Sequence, residues 1–195
     1  MSAAQVRIGG AWVDSTLEGS VRIGGAWVDF GPAGGGGFGP DQNIFGNTAA
    51  GGAFEEGTAI SVGTRFHVNA AGQAVAPRYY CPGTPPTSVK MGLYRFSDGV
   101  QLAVTPVTMD SPNTWERGPD FSSPVPLSVG VDYMWVYWTS NRYSATGSWS
   151  WPTTSGDLVT ANPAGYFLTS ADIAFPTNSS AAVNFFADGI FQKAL

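Results

Sequence analysis

The chain has 195 residues, of which 26 are Gly and 14 Pro, and only 12% are charged, about half the ~25% of an average soluble domain. Its formal net charge is −5, with nine Lys and Arg scattered along it. That excludes the clustered basic surface a phosphate backbone requires, so no nucleic acid is expected as a partner. No run approaches the ~18 apolar residues of a membrane helix, and no membrane insertion is expected.

In chain order, Met1 to Gln5 lack a basic head and an apolar run, so no export signal is expected. A repeat follows. Val6-Arg7-Ile8-Gly9-Gly10-Ala11-Trp12-Val13-Asp14 recurs unchanged as Val21-Arg22-Ile23-Gly24-Gly25-Ala26-Trp27-Val28-Asp29. Each copy reads as a two-residue β-hairpin, because Gly-Gly supplies both positive-φ positions of a type I′ turn between β-forming runs.

The turn sets the register, placing Ile8 opposite Ala11, Arg7 opposite Trp12 and Val6 opposite Val13. One face then carries Val6, Ile8, Ala11 and Val13, all apolar. The other carries Arg7 across from Trp12, a cation–π pair worth roughly 0.5–1 kcal/mol when exposed. The second copy sets Val21, Ile23, Ala26 and Val28 against Arg22 and Trp27. A lone hairpin is marginal in water, so these faces need cover, from each other, from the rest of the chain or from a partner. Residues 31–44 have the composition of a flexible tether, with Gly34 to Gly37 between Pro32 and Pro40. A tether favours docking on a partner, through Val6, Ile8, Ala11, Trp12, Val13, Val21, Ile23, Ala26, Trp27 and Val28. The expected organisation is an arm over 1–30, a linker over 31–44 and an all-β antiparallel sandwich, jelly-roll-like, over 45–195.

The two copies resemble the Val-x-Val-Gly-Gly-x-Trp repeats of minor tail proteins of bacteriophages infecting actinobacteria, over about the first 30 residues. The resemblance implies a virion structural protein, assembled in the host cytoplasm and mounted on other virion proteins in several copies. A head decoration protein and a carbohydrate-binding adhesin module are the alternatives.

From Phe45 onward, short strands alternate with turns. In 59–68, Ile60, Val62, Thr64, Phe66 and Val68 alternate with Ser61, Gly63, Arg65 and His67, a period of two. Further strands are expected at 74–81, 87–96, 100–109, 113–118, 131–140, 143–149 and 182–191, between turns such as Pro82-Gly83, Asp98-Gly99 and Ser128-Val129-Gly130. Asp132 to Thr139 is apolar on both faces, which marks a central strand whose second face is covered by a loop, the arm or a ligand. Cys81 stands alone, so an intrachain disulfide is excluded and a reducing compartment fits.

Four stretches together resemble an uncharacterised jelly-roll-like domain of bacterial surface proteins and carbohydrate-active enzymes. They are Glu56-Gly57-Thr58 leading into Ser61 to Phe66, Met91-Gly92-Leu93-Tyr94, Leu127 to Tyr133, and Phe185 to Phe191. The resemblance implies a β-sandwich related to carbohydrate-binding modules, with no ligand residues to carry over.

No catalytic constellation is found. His67 is the single histidine and lies on the polar face of a strand, without a Gly-x-Ser-x-Gly elbow in the chain. Zinc needs several His or Cys ligands, and no metal or other cofactor is expected. Paired carboxylates would have to come from Glu55, Glu56, Asp98, Asp110, Glu116, Asp120, Asp157 and Asp188, most of them in turns. The segment 141–152 is richer, with Arg142, Tyr143, Trp149 and Trp151 in a Ser/Thr-rich stretch. Pyranose rings stack on such aromatics, which makes these four the candidate contacts for a host surface glycan. The other reading is that Trp149 and Trp151 plug the end of the sandwich as core.

Overall fold

In the computed structural model, residues 37–55 and 57–195 are described in full, and residues 1–36 through the backbone of four strands. These are β1 (Gln5–Ile8), β2 (Ala11–Asp14), β3 (Gly19–Ile23) and β4 (Ala26–Phe30). They form two antiparallel pairs, with Val6 opposite Val13, Arg7 opposite Trp12 and Ile8 opposite Ala11 in the first. In the second, Val21 pairs with Val28, Arg22 with Trp27 and Ile23 with Ala26. The backbone register is the one the Gly-Gly turns dictate. The side chains expected to dock, from Val6 to Val13 and from Val21 to Val28, lie outside the described residues.

The second unit of the chain is Phe38–Ala194, an all-β antiparallel sandwich. Its strands are β5 (Phe38–Gln42), β6 (Gly52–Glu55), β7 (Ile60–Val68), β8 (Gly72–Tyr80), β9 (Val89–Arg95), β10 (Gln101–Val107) and β11 (Trp115–Arg117). There follow β12 (Val125–Leu127), β13 (Asp132–Thr139), β14 (Arg142–Ala145), β15 (Thr154–Ser155), β16 (Leu158–Thr169), β17 (Asn178–Ser180) and β18 (Ala187–Ala194). One sheet runs β10-β9-β13-β7-β16-β15, with β17 on β16, and the other runs β11-β8-β18-β5, with β12 on β8. β14 and β6 make a small sheet of their own.

Strand β13 sits between β9 and β7, as its two-sided apolar pattern requires. Tyr133, Trp135 and Tyr137 enter the main core with Val62, Phe66, Met91 and Leu93, against Tyr79, Leu127, Ala187 and Phe191. Met134 and Val136 point the other way and join Tyr94 and Tyr166 in a second cluster, against which Phe96, Ile173 and Phe175 pack. The cover on that face is therefore the loop after β16. The Trp138 indole N–H ties the loop down by donating to the Ser170 carbonyl at 3.0 Å.

Composition places a linker through residue 44, but β5 pairs with β18, and Ile44 is only 2% exposed in the core. The sandwich thus begins at Phe38. Backbone hydrogen bonds to β18 organise this Gly- and Pro-containing stretch, and they leave no mark in a composition count. The longest strand, β16, is absent from the sequence expectation because Pro163 interrupts it. Proline cannot donate to a ladder, and the pairing with β7 shifts register between Thr160 and Gly165 around it.

Candidate binding groove

The small sheet builds one wall of an open groove. Tyr143 on β14 lies directly opposite Phe54 on β6, and their rings stack with centroids 5.7 Å apart and planes 15° from parallel. Tyr143 meets Phe185 edge-on at 5.8 Å, and Phe185 meets Phe167 of β16 at 6.3 Å. The four rings line a cavity of about 440 Å³ together with Ile60, Ala145, Gly147, Thr169 and Val183. Tyr143 and Phe185 are buried, whereas Phe54 is 47% and Phe167 36% exposed.

The wall is held from behind. The Tyr79 hydroxyl donates to the Ser144 carbonyl at 3.2 Å and accepts from the Ser144 amide at 2.6 Å. The Tyr137 hydroxyl donates to the Arg142 carbonyl at 3.2 Å. The two phenol rings lie face to face, 3.5 Å apart and 3° from parallel. Burial raises both phenols above the ordinary tyrosine range, so they stay protonated as donors. A two-residue bridge, Thr146 to Asn184, brings Val183 and Phe185 alongside β14. Where Glu55 and Arg142 pair, on the opposite face of the small sheet, a second cleft of about 220 Å³ is lined by Ala53, Phe54, Glu55, Thr84 and Arg142, and Arg142 donates to Glu55 at 3.1 Å.

The structure divides the four residues singled out for glycan contact. Tyr143 lines this groove, and Arg142 lines the second cleft. Trp149 and Trp151 pack elsewhere, partly buried against the main core. There they meet each other, with centroids 6.0 Å apart, and Phe45 and Phe186. The Trp149 indole N–H donates to Thr153 at 3.2 Å. Behind that cluster lies a buried ion pair. Asp188, 0% exposed, accepts from the amides of Ile44 and Phe45 at 3.1 and 3.2 Å and faces Arg78 at 4.0 Å. Arg78 lies over the Trp115 ring at 4.1 Å and donates to the Gly46 carbonyl at 2.7 Å. Burial pushes the Asp188 carboxyl up to about 6, against the opposing pull of Arg78.

The remaining candidates are dispersed. His67 lies 3.6 Å from Asp132, which also binds Arg65. Asp98, Asp120 and Asp157 pair with Arg95, Arg117 and Lys193. Glu116 accepts the backbone amides of Asp110 and Ser111, and Glu56 lies outside the described residues. Among the described residues no group of His, Cys, Asp or Glu is arranged to hold a metal ion. Burial raises the Cys81 thiol to about 12, which leaves it a small apolar side chain.

Nothing in the sequence marks Phe54, Phe167, Phe185 and Ile60 as members of one site. Phe54 stands alone in a Gly/Ala-rich stretch, and Phe167 follows the proline that hides β16. Only the pairing of β6 with β14 brings Phe54 to Tyr143.

Fold and groove together define an antiparallel β-sandwich with an aromatic-lined groove. The family model described as "Domain of unknown function (DUF4082)" matches residues 47–187, and the chain belongs to that family. No curated protein matches the chain. Among solved structures, the one titled "Structure of infectious bursal disease virus Gx strain" is similar at 10% identity with a TM-score of 0.32. The match covers 98% of this chain and 50% of that one, so the chain spans about half its length. A likeness that distant does not speak to function.

Proposed function

We propose that the chain is a structural protein of a bacteriophage particle, a minor tail protein whose duplicated hairpin arm mounts it on other virion proteins. The observation that carries this reading is the nine-residue repeat, each copy a hairpin in the register Ile8 to Ala11 and Ile23 to Ala26. Two-stranded hairpins need a surface to cover their apolar faces. The sandwich has its own core and would face outward, where the groove beside Phe54 suits it for attachment to a host surface. That groove also favours a second reading, a carbohydrate-binding adhesin module.

Protein mass spectrometry of purified particles tests the first reading. The full chain should be present in particles, and a chain lacking residues 1–30 should be made and folded but absent from them. Incorporation of the truncated chain at the normal level would remove the arm as the anchor.

A further inference from the structure

Strand β6 leaves one edge of its sheet open. Among the described residues β14 alone pairs with it, and all four of its residues are exposed. In an antiparallel ladder the N–H and C=O of successive residues point alternately to the two sides, and the partners of β14 show which residues point where. Ser144 engages the Tyr79 hydroxyl with both groups, the Arg142 carbonyl accepts from Tyr137, and Thr146 exchanges both groups with Asn184. These three therefore face away from β6, and the ladder runs from Tyr143 to Phe54 and from Ala145 to Gly52. Ala53 and Glu55 alternate with those two and turn their N–H and C=O outward, to the open edge. Such an edge is a template for a further strand.

The arm has the complementary pattern. A two-residue turn closes with the Ile8 carbonyl accepting from the Ala11 amide, and these two stand opposite each other in the first hairpin, as Ile23 and Ala26 do in the second. By the same alternation Gln5 and Arg7, and Ser20 and Arg22, turn their N–H and C=O outward. Antiparallel addition sets outward residues opposite outward residues, and opposite residues share a face. Val6 and Ile8, or Val21 and Ile23, then fall on the face of Phe54, Tyr143 and Ala145 and extend the apolar wall of the groove. Arg7 or Arg22 falls on the face of Glu55, whose side chain is 53% exposed. The other edge of each hairpin would bring Asp14 or Asp29 to that face instead, so charge selects β1 or β3. Two two-stranded sheets become one of four strands, and three or more is what a sheet needs for stability of its own.

We infer that a hairpin of the arm adds edge to edge, through β1 or β3, to strand β6 of a second copy of this chain. Reach favours the second copy over the same chain. The sandwich begins at Phe38, opposite Ala194 at one end of β18, whereas β14 is fastened by Tyr79, opposite Ala187 at the other end. The eight residues of β18 span ~25 Å. The seven residues between Phe30 and Phe38, rich in Gly, have a mean reach of ~15 Å as a flexible chain. The β6 edge of a neighbouring copy sets no such limit. Docking of the arm thereby acquires a partner, and the assignment rests on the docking role proposed above.

Sedimentation velocity of the full chain over a range of concentrations, with amide hydrogen exchange, provides the test. The wild type should associate as concentration rises, and exchange should slow at Ala53 and Glu55 but not at Phe54, whose N–H already bonds to β14. Ala53→Pro removes an outward N–H and leaves the ladder to β14 intact, so it blocks the edge alone. Ile8→Asp with Ile23→Asp puts a charge on the apolar row of each hairpin and disables the arm alone. Each variant by itself should associate at least about tenfold more weakly, with unchanged melting of the sandwich. Mixed together they should form a complex, since one supplies the arm and the other the edge. Should Ala53→Pro loosen the small sheet, Glu55→Pro blocks the other outward N–H. A wild type that stays monomeric up to about 1 mM overturns the inference. So does association that survives the edge variants, which means contact between arms, or that survives the paired Asp substitutions, which means contact between β6 edges. A mixture that stays monomeric does the same. If the mixture forms the complex but the chain is missing from purified particles, the virion reading fails and the arm-to-edge assignment stands. If the chain enters particles through residues 1–30 yet stays monomeric in solution, another virion protein receives the arm and this assignment fails alone.

Discussion

Gly189 shows how far a single residue's role depends on a distant partner. A Cβ at this position of β18 would lie 2.1 Å from the ring of Trp135, which is 2% exposed at the centre of the core. The indole therefore rests directly on the β18 backbone. Gly189→Ala should lower stability by about 2 kcal/mol or more through overpacking, read as a lower denaturation midpoint. The atoms met belong to the six-membered part of the indole. Trp135→Phe in the same chain should therefore restore part of the loss, and a double-mutant cycle with no coupling would contradict this account. Nothing at position 189 of the sequence reveals this role, since the constraint comes from a strand 54 residues away.

Strands were legible wherever side chains alone specify them. The alternation of Ile60 to Val68 and the two-sided run of Asp132 to Thr139 both form strands as expected, and β7 is covered on its second face too, where only Arg65 and His67 are partly exposed. β6 and β16 were not legible. β6 is Gly52-Ala53-Phe54-Glu55, exposed throughout, and exists because β14 pairs with it. β14 in turn is fastened by Tyr79, whose hydroxyl both gives to and takes from the Ser144 backbone. Tyr79→Phe should leave the buried Ser144 amide without a partner, at a cost of about 1–3 kcal/mol. Amide hydrogen exchange should rise at Ser144 and its β14 neighbours more than in β13. A uniform rise across the sandwich would mean that Tyr79 acts through the core instead. The same uncoupling explains the divided glycan candidates: Tyr143 and Trp149 are six residues apart, yet β14 ends at Ala145 and the chain then turns to another aromatic cluster.

Across the whole molecule, Asp188 joins two distant parts of the chain, the turn after β5 and the final strand. Its burial has a pH signature. The folded protein holds the Asp188 proton up to about pH 6, whereas the unfolded chain releases it near its ordinary value of 3.8. Between about pH 4 and 6 the folded state binds more protons, so this group's contribution makes stability fall as pH rises through that window and level off above it. The stability of the wild type minus that of Asp188→Asn should decline from pH 4 to 6, by at most about 3 kcal/mol, and stay level from 6 to 8. Chemical denaturation across that range measures it, and a difference that grows with pH would reverse the assignment. In the sequence Asp188 is one of eight candidate carboxylates within an expected strand over 182–191, and nothing local to it shows that the Ile44 and Phe45 amides and Arg78 converge there.

By itself the sequence determined the fold class, the hairpin register of the arm and the central place of β13. Each follows from short-range rules: glycine's access to positive φ, the two-residue period of a strand, and the burial of apolar faces. Only the tertiary structure decided where the sandwich begins, that one strand, β16, runs through Pro163, and that Phe54, Tyr143, Phe185 and Phe167 form one groove while Trp149 and Trp151 belong to another cluster. Those outcomes rest on backbone pairing and ring contacts between residues far apart in the chain, which no local pattern encodes.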